Sequence, residues 1–159
     1  MHVFDDVLEP SVVEEYRRQI ELHYATQLEA GQPPLLWYPT RNTDITDHPV
    51  VDVLRSFIEA RLRLRLTCYQ AELQTWPIGV ESEPHIHTKG REIGDYNSLL
   101  YLNDEFTGGE FFAEPGIRVR PVRNRLTFFD GSKHYHGITK VGGCHRYTMI
   151  LWWRDTQPY

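Results

Sequence analysis

The sequence predicts a mainly β fold with N-terminal helices, a sandwich or barrel whose helices buttress one sheet. Three observations predict it. From Leu64 onward, short runs rich in β-formers follow one another closely: "LRLTCYQAELQTW", "YNSLLYLND", "GEFFAEP", "RLTFFDG", "YHGITKV" and "HRYTMILWWR". Turn residues punctuate these runs at Asn103–Gly109, Glu114–Gly116, Asp130–Lys133 and Gly142–Gly143, the rhythm of a sandwich or barrel. Before Leu64 the apolar residues recur at helical spacing instead, and helices gathered at one end of such a chain pack on a sheet face.

Ser11 is a good N-cap, and Glu14 completes a capping box three residues later. Val12, Val13, Tyr16, Ile20 and Tyr24 form an apolar stripe, and Gly31, Gln32, Pro33 and Pro34 end that helix. A second helix starts near Asp47 with Pro49 in its first turn. Its buried side is Val50, Val51, Leu54, Phe57, Ile58 and Leu62. The connecting segment Gln32–Thr46 is proline-rich and apolar in its first half. It reads as a lid over a pocket or as a plain connection. Strands then fill the chain from Leu64, and two sheets so formed can enclose a pocket for a small molecule or metal.

The bulk numbers narrow the function classes. A chain of 159 residues is long enough for one domain with its own core. We therefore expect a single domain over 1–159, with 1–63 as helical support and 64–159 as the β core. The formal net charge is −5, and the arginines alternating with leucine at 61, 63 and 65 read as a solvated face. Without a broad basic footprint, no nucleic acid partner is expected. No run approaches the roughly 18 apolar residues of a membrane span, so no membrane partner is expected. No positively charged stretch followed by an apolar run opens the sequence, so no secretory leader is expected. Two cysteines, Cys68 and Cys144, make no disulfide framework, which points to a soluble, cytoplasmic protein of a reducing compartment.

The chemistry gathers around histidine. His85 and His87 are separated by one residue, "PHIHT", and in an extended chain such a pair shares a face and can point at one ion. His136 stands on a later strand that can return beside them, with His134 on the same face by period two. Arg146 begins the run "RYTMILWW". An oxygen-activating iron needs a facial set of protein ligands with positions left open. A buried arginine can hold a remote carboxylate through paired N–H donors, and the hydroxyl of Tyr101 can share it.

These pieces resemble the Fe(II)/2-oxoglutarate-dependent dioxygenase superfamily, in its prolyl 4-hydroxylase-like branch. The resemblance runs from Leu73 to Trp153, about half the chain. "QTWPIGVESEPHIH" resembles the approach to the family's H-x-D pair, and "SLLYLND" with "GGEFF" resembles its YLN and GGE strands. "IRVRPVRNRLTFF" and "HGITKVGGCHRYTMILWW" resemble the two later segments in the right order. The resemblance implies a double-stranded β-helix, a cupin-like jelly roll. It implies His85 and His136 as iron ligands and Arg146 and Tyr101 as holders of the far carboxylate of 2-oxoglutarate. Trp76 falls beside the co-substrate, and Trp152 near the pocket floor.

His87 departs from the pattern, since it stands where the family has Asp or occasionally Glu. A neutral imidazole adds no charge to the iron, but three histidines are a known oxygen-chemistry set. His87 is therefore read as the third ligand, with hydrogen bonding to a carboxylate as the other role. Glu83, Glu92 and Asp95 are the carboxylates that could stand in for it. His134 reads as a group orienting a ligand, or as a pocket wall. His145 should point to the opposite face, at the surface. Glu110 reads as a strand-edge acid or a substrate contact. Arg118, Arg120, Arg123 and Arg125 read as solvated charges. Trp152 and Trp153 read as core plus surface.

The implied activity is a hydroxylase-like oxidoreductase using Fe(II), 2-oxoglutarate as co-substrate and O2. It converts 2-oxoglutarate to succinate and CO2 while oxidising a second substrate. That substrate is expected to be a small molecule, an amino acid or a short peptide. Two alternatives stay open: a 2-oxoglutarate-independent three-His iron dioxygenase, and an inactive metal- or 2-oxoglutarate-binding module. Exposed strand edges and Trp153 leave monomer or homodimer open.

Overall fold

In the computed structural model, residues 1–31, 41–87 and 96–156 are described. Helix α1 (Pro10–Glu29) begins at Pro10, with Glu9 as its N-cap and no capping side chain. This corrects the expected Ser11 cap. Proline at the first helical position has its φ preset and needs no N–H partner, so the helix starts two residues earlier and Ser11 lies inside it. The Glu14 carboxylate goes to Arg18 at 3.2 Å and Arg123 at 2.9 Å instead. The helix ends where Gly31 takes a left-handed backbone (φ 66°), a conformation glycine adopts without a Cβ clash. Pro33 and Pro34 lie outside the described residues, as does most of the expected lid. Helix α2 (Pro49–Leu62) buries Val50, Val51, Leu54 and Ile58, as its periodicity predicts.

The strands are β1 (His2–Phe4), β2 (Arg41–Asp44), β3 (Leu66–Trp76), β4 (Ser82–His85), β5 (Tyr96–Tyr101) and β6 (Thr107–Gly108). They continue as β7 (Phe111–Ala113), β8 (Ile117–Val119), β9 (Leu126–Phe129), β10 (His136–Ile138), β11 (Val141–Gly142) and β12 (Arg146–Asp155). A six-stranded sheet runs β1-β9-β5-β12-β3-β2, and a four-stranded sheet runs β4-β10-β7-β8. The small strands β11 and β6 pair separately. The helix-rich third thus supplies both edge strands of the large sheet. β2 lies within the segment expected as a lid or connection.

Period-two alternation gives the large sheet two dry faces. Ala71, Leu73, Leu100, Leu126, Met149, Leu151 and Trp153 join Val13, Ile20, Leu54 and Ile58 of the helices in one core. The alternate residues Trp76, Leu99, Tyr101, Phe129 and Ile150 join Phe111, Ala113, Val119 and Ile138 of the smaller sheet in the other. The result is a mainly β fold in three layers: helices, large sheet, small sheet. Trp153 is fully buried and donates its indole N–H to Ser98 Oγ at 2.8 Å. It therefore offers no dimer surface, correcting that expectation. Among the described residues no helix is long and apolar enough to cross a membrane.

Candidate metal centre and the pocket beside it

Strands β4 and β10 pair antiparallel with His136 directly opposite His85. His87 follows just past the end of β4, and its backbone N–H donates to Gly131 O at 2.9 Å. The three rings converge, with centroids 4.5 Å apart for His85 and His136, 4.7 Å for His87 and His136, and 5.4 Å for His85 and His87. One potential ligand atom from each lies within 4.8 Å of the others. Among the described residues no carboxylate joins them. Glu92 and Asp95 lie outside the described residues.

Hydrogen bonds fix which nitrogen of each ring faces inward. Nδ1 of His85 lies 3.0 Å from Glu83 O, Nδ1 of His136 lies 3.0 Å from His134 O, and Nδ1 of His87 lies 3.0 Å from Asn97 Oδ1. A carbonyl oxygen only accepts, so each Nδ1 donates and each Nε2 carries the lone pair. Metal-binding histidines are oriented in this way. Burial, reinforced by the neighbouring histidines, pushes the pKa of His136 down to about 4. Burial also lowers that of His87. Neutral imidazoles are the form a metal binds.

The same contacts assign roles that side-chain chemistry alone does not reveal. His134 and Glu83 act on the cluster through their backbone carbonyls. Asn97 is buried, and a Cβ on Gly131 would stand 2.5 Å from His87 Nδ1 and 2.7 Å from Asn97 Oδ1. Glycine at 131 therefore leaves room for the His87–Asn97 pair. No motif marks Asn97 or Gly131; only the pairing of Asn97 with Phe129 across β5 and β9 brings the amide to this end of the sheet.

Arg146 is fully buried at the start of β12, opposite Trp76 of β3. Its Nε donates to Gly109 O at 3.0 Å, and its Cζ lies 5.1 Å from the Tyr101 ring centre and 5.5 Å from that of Trp76. Nη2 is buried with no hydrogen-bond partner. Burial disfavours the charged guanidinium and lowers its pKa, an effect that Tyr101 opposes. A buried cation with an orphaned donor has the chemistry to receive an anion. Tyr101 is fully buried too, its hydroxyl accepting from the Phe111 N–H at 3.3 Å.

A cavity of about 320 Å³ opens beside the histidines, with Trp76 and Trp152 in its lining. Its wall on β3 holds a polar cluster. Glu72 accepts from Gln70 Nε2 at 2.6 Å, Asn42 Nδ2 at 2.8 Å and Gln74 Nε2 at 3.3 Å. Trp76 Nε1 donates to Gln74 Oε1 at 3.2 Å. The period-two run Gln70, Glu72, Gln74 was the signal in the sequence, and it reads equally well as a solvated edge.

Other expected residues fall elsewhere. His145 is half-buried rather than at the surface: its ring meets Tyr24 of α1 edge-on at 4.9 Å, and its Nδ1 accepts from the Ile78 N–H at 3.2 Å. It caps the helix layer, outside the cavity. Glu110 pairs with Arg118 at 3.1 Å, and Arg125 pairs with Asp5 at 2.6 Å. Cys68 and Cys144 are free thiols.

Residues 71–154 match the sequence model of the 2OG-Fe(II) oxygenase superfamily. Within the chain a stretch of 65 residues is 45% identical to prolyl 3-hydroxylase 3 of Homo sapiens, covering 36% of this chain and 9% of that protein. The chain thus spans only a small part of the length of these relatives. The fold is similar to a prolyl hydroxylase of Trichoplax adhaerens, solved in complex with a hypoxia inducible factor oxygen degradation domain peptide fragment. That match has a TM-score of 0.75 at 18% identity over 97% of this chain and 83% of the other. It is also similar to a Pseudomonas putida prolyl-4-hydroxylase, with a TM-score of 0.72 at 19% identity over 98% and 92%.

Proposed function

The chain belongs to the 2OG-Fe(II) oxygenase superfamily, and on that premise we propose that it is an Fe(II)- and 2-oxoglutarate-dependent oxygenase with a three-histidine iron site. The observation that carries this reading is the convergence of His85, His87 and His136, each with Nδ1 tied to a carbonyl. Fe(II) with 2-oxoglutarate and O2 supplies the oxidising chemistry, in which succinate and CO2 form and a C–H bond of a second substrate is oxidised.

The chain's own residues would hold these groups in place. Three Nε2 atoms would bind the iron as neutral donors. The iron's charge would then be balanced by the anionic co-substrate rather than by a protein carboxylate. The orphaned Nη2 of Arg146 fits the far carboxylate of 2-oxoglutarate, with Tyr101 beside it and Trp76 closing that end. Burial excludes water there and strengthens the ion pair.

The layered sheets with a cavity between them support a jelly roll, the double-stranded β-helix, built as one domain over 1–159. The free thiols support a reducing, cytoplasmic setting. An amino acid, a peptidyl residue or a small metabolite is the second substrate. The similar proteins above carry the names prolyl 3-hydroxylase and prolyl-4-hydroxylase.

The test is anaerobic addition of Fe(II) and then 2-oxoglutarate to metal-free protein, watching for the visible band of the chelate. The band should form in wild type and be lost in Arg146→Ala, with succinate released once O2 is admitted. Iron binding without the band would replace this reading with a three-His dioxygenase that needs no 2-oxoglutarate. A band without succinate would leave a binding module, and failure to bind iron would make the three histidines structural.

A further inference from the structure

We propose that the second substrate carries a cationic nitrogen group, an ammonium or guanidinium, which Glu72 receives on the β3 wall of the cavity. The inference rests on the oxygenase reading for the identity of the cavity, but its evidence is separate. Among the described lining residues Glu72 is the only carboxylate, and none of them is a lysine or arginine. Its three hydrogen-bond partners, Asn42, Gln70 and Gln74, are neutral amides. Amides fix the position of a carboxylate without cancelling its charge.

The wall also has an acceptor to spare. The amide N–H groups of Asn42, Gln70 and Gln74 are turned onto Glu72, which presents their oxygens elsewhere. Asn42 Oδ1 is buried with no partner. A buried acceptor without a donor carries a cost. An incoming N–H-rich cation would satisfy Asn42 Oδ1 and Glu72 together, whereas a carboxylate would be repelled. Trp152 and Ile150 of β12 stand opposite Gln70 and Glu72 in the sheet register, so an aromatic face lies beside the carboxylate for a planar cation to stack on.

Opposite charges are thereby held apart, Glu72 in the cavity lining and Arg146 outside that lining, beside Trp76. Arg146 lies opposite Trp76 at the end of β3, and Trp76 and Glu72 are separated by about 13 Å of extended strand. An anionic co-substrate is drawn toward Arg146, beside Trp76, and kept off the Glu72 wall. A cationic substrate is sorted the other way. The two molecules can then bind near one another without competing.

The experiment compares n-butylguanidinium with its neutral isostere n-butylurea. Binding is followed by calorimetry and by the side-chain amide NMR signals of Asn42, Gln70 and Gln74. Both metal-free protein and protein carrying Fe(II) and 2-oxoglutarate without O2 are titrated. Wild type should bind the guanidinium about tenfold or more tightly than the urea, as for a charge-assisted pair in a half-buried site. Shifts should centre on the three amides, and the preference should vanish in Glu72→Gln and Glu72→Ala with the melting temperature of each variant checked in parallel. Equal binding of the two probes would overturn the proposal, as would a preference that survives Glu72→Gln or that maps away from those amides. The chelate band in the same samples reports on the oxygenase reading independently. A guanidinium preference without the band would leave the cation site standing and remove that reading alone.

Discussion

Replacing Asn97 by leucine should weaken the metal site without touching a ligand. Asn97 is buried at 2% exposure, and its Oδ1 is the acceptor for His87 Nδ1. Leucine has nearly the same shape and no acceptor. His87 then has two options: it keeps its proton on Nδ1, leaving a buried donor unpaired at about 1–3 kcal/mol, or it moves the proton to Nε2 and loses the lone pair that faces the cluster. Either route penalises the metal-bound state. Loss of such an orienting partner typically weakens metal affinity by about 10–100-fold, or about 1.4–2.8 kcal/mol, in agreement with the cost of the unpaired donor. The assay is an anaerobic Fe(II) competition titration against a chromophoric chelator, with the ring nitrogens of His87 followed by 15N NMR. Asn97→Asp keeps an acceptor and should bind metal at least as tightly as wild type. An Asn97→Leu affinity within about twofold of wild type would refute the reasoning, because it would mean that His87 is oriented by something else or is not a ligand.

Three further outcomes follow from the same contacts. Gly131→Ala places a methyl 2.5 Å from His87 Nδ1, so Fe(II) affinity in the same titration should fall about tenfold or more while the fold persists with a cost of about 1–3 kcal/mol. Trp153→Phe removes the indole N–H that reaches Ser98 and should cost about 1–3 kcal/mol in urea denaturation, with Fe(II) affinity unchanged. Metal-free protein should lose stability in acid through His136. The unfolded chain takes up this proton near pH 6.5 and the folded chain only near about 4, so between those values the unfolded state binds more protons. Stability therefore falls as pH drops across that window, by at most about 3 kcal/mol. His136→Gln should flatten that slope in urea melts recorded at each pH.

Much of this arrangement was legible along the chain. Leu66–Trp76 and Arg146–Asp155 carry enough β-formers to be read as strands, and Val13, Tyr16 and Ile20 mark the inner face of α1 without ambiguity. The spacing of His85 and His87 put both on one side of an extended segment, and the partner His136 followed from the returning strand. What escaped reading depends on contacts between distant residues. β1 and β2 are three and four residues long, too short for a period of their own, and they exist because β9 and β3 offer them open edges. Trp153 and Trp152 differ by which face of β12 they occupy. Both faces of that strand are dry, so the run "MILWW" carries no alternation to tell them apart. Glu72 between two glutamines looks like a solvated edge, and only β2 laid alongside, bringing Asn42, turns that edge into a wall. Asn97 and Gly131 have no local mark at all. They become meaningful once His87 sits between them.

The order of strands across the large sheet bears on how the chain is made. Two of its inner pairings, β12 with β5 and β12 with β3, depend on the last described strand, while one of its edge strands, β1, is the first. During synthesis β3 and β5 therefore emerge with nothing between them. β1 must wait for β9, since His2 pairs with Phe128. Pairings so distant in sequence fold slowly, and until β12 arrives the nascent chain exposes two unpaired strand flanks to any other chain nearby. The strand that closes the gap begins with Arg146. The proposed anion seat and the spine of the sheet are thus completed by the same stretch of polypeptide, so a chain released before that stretch would lack both.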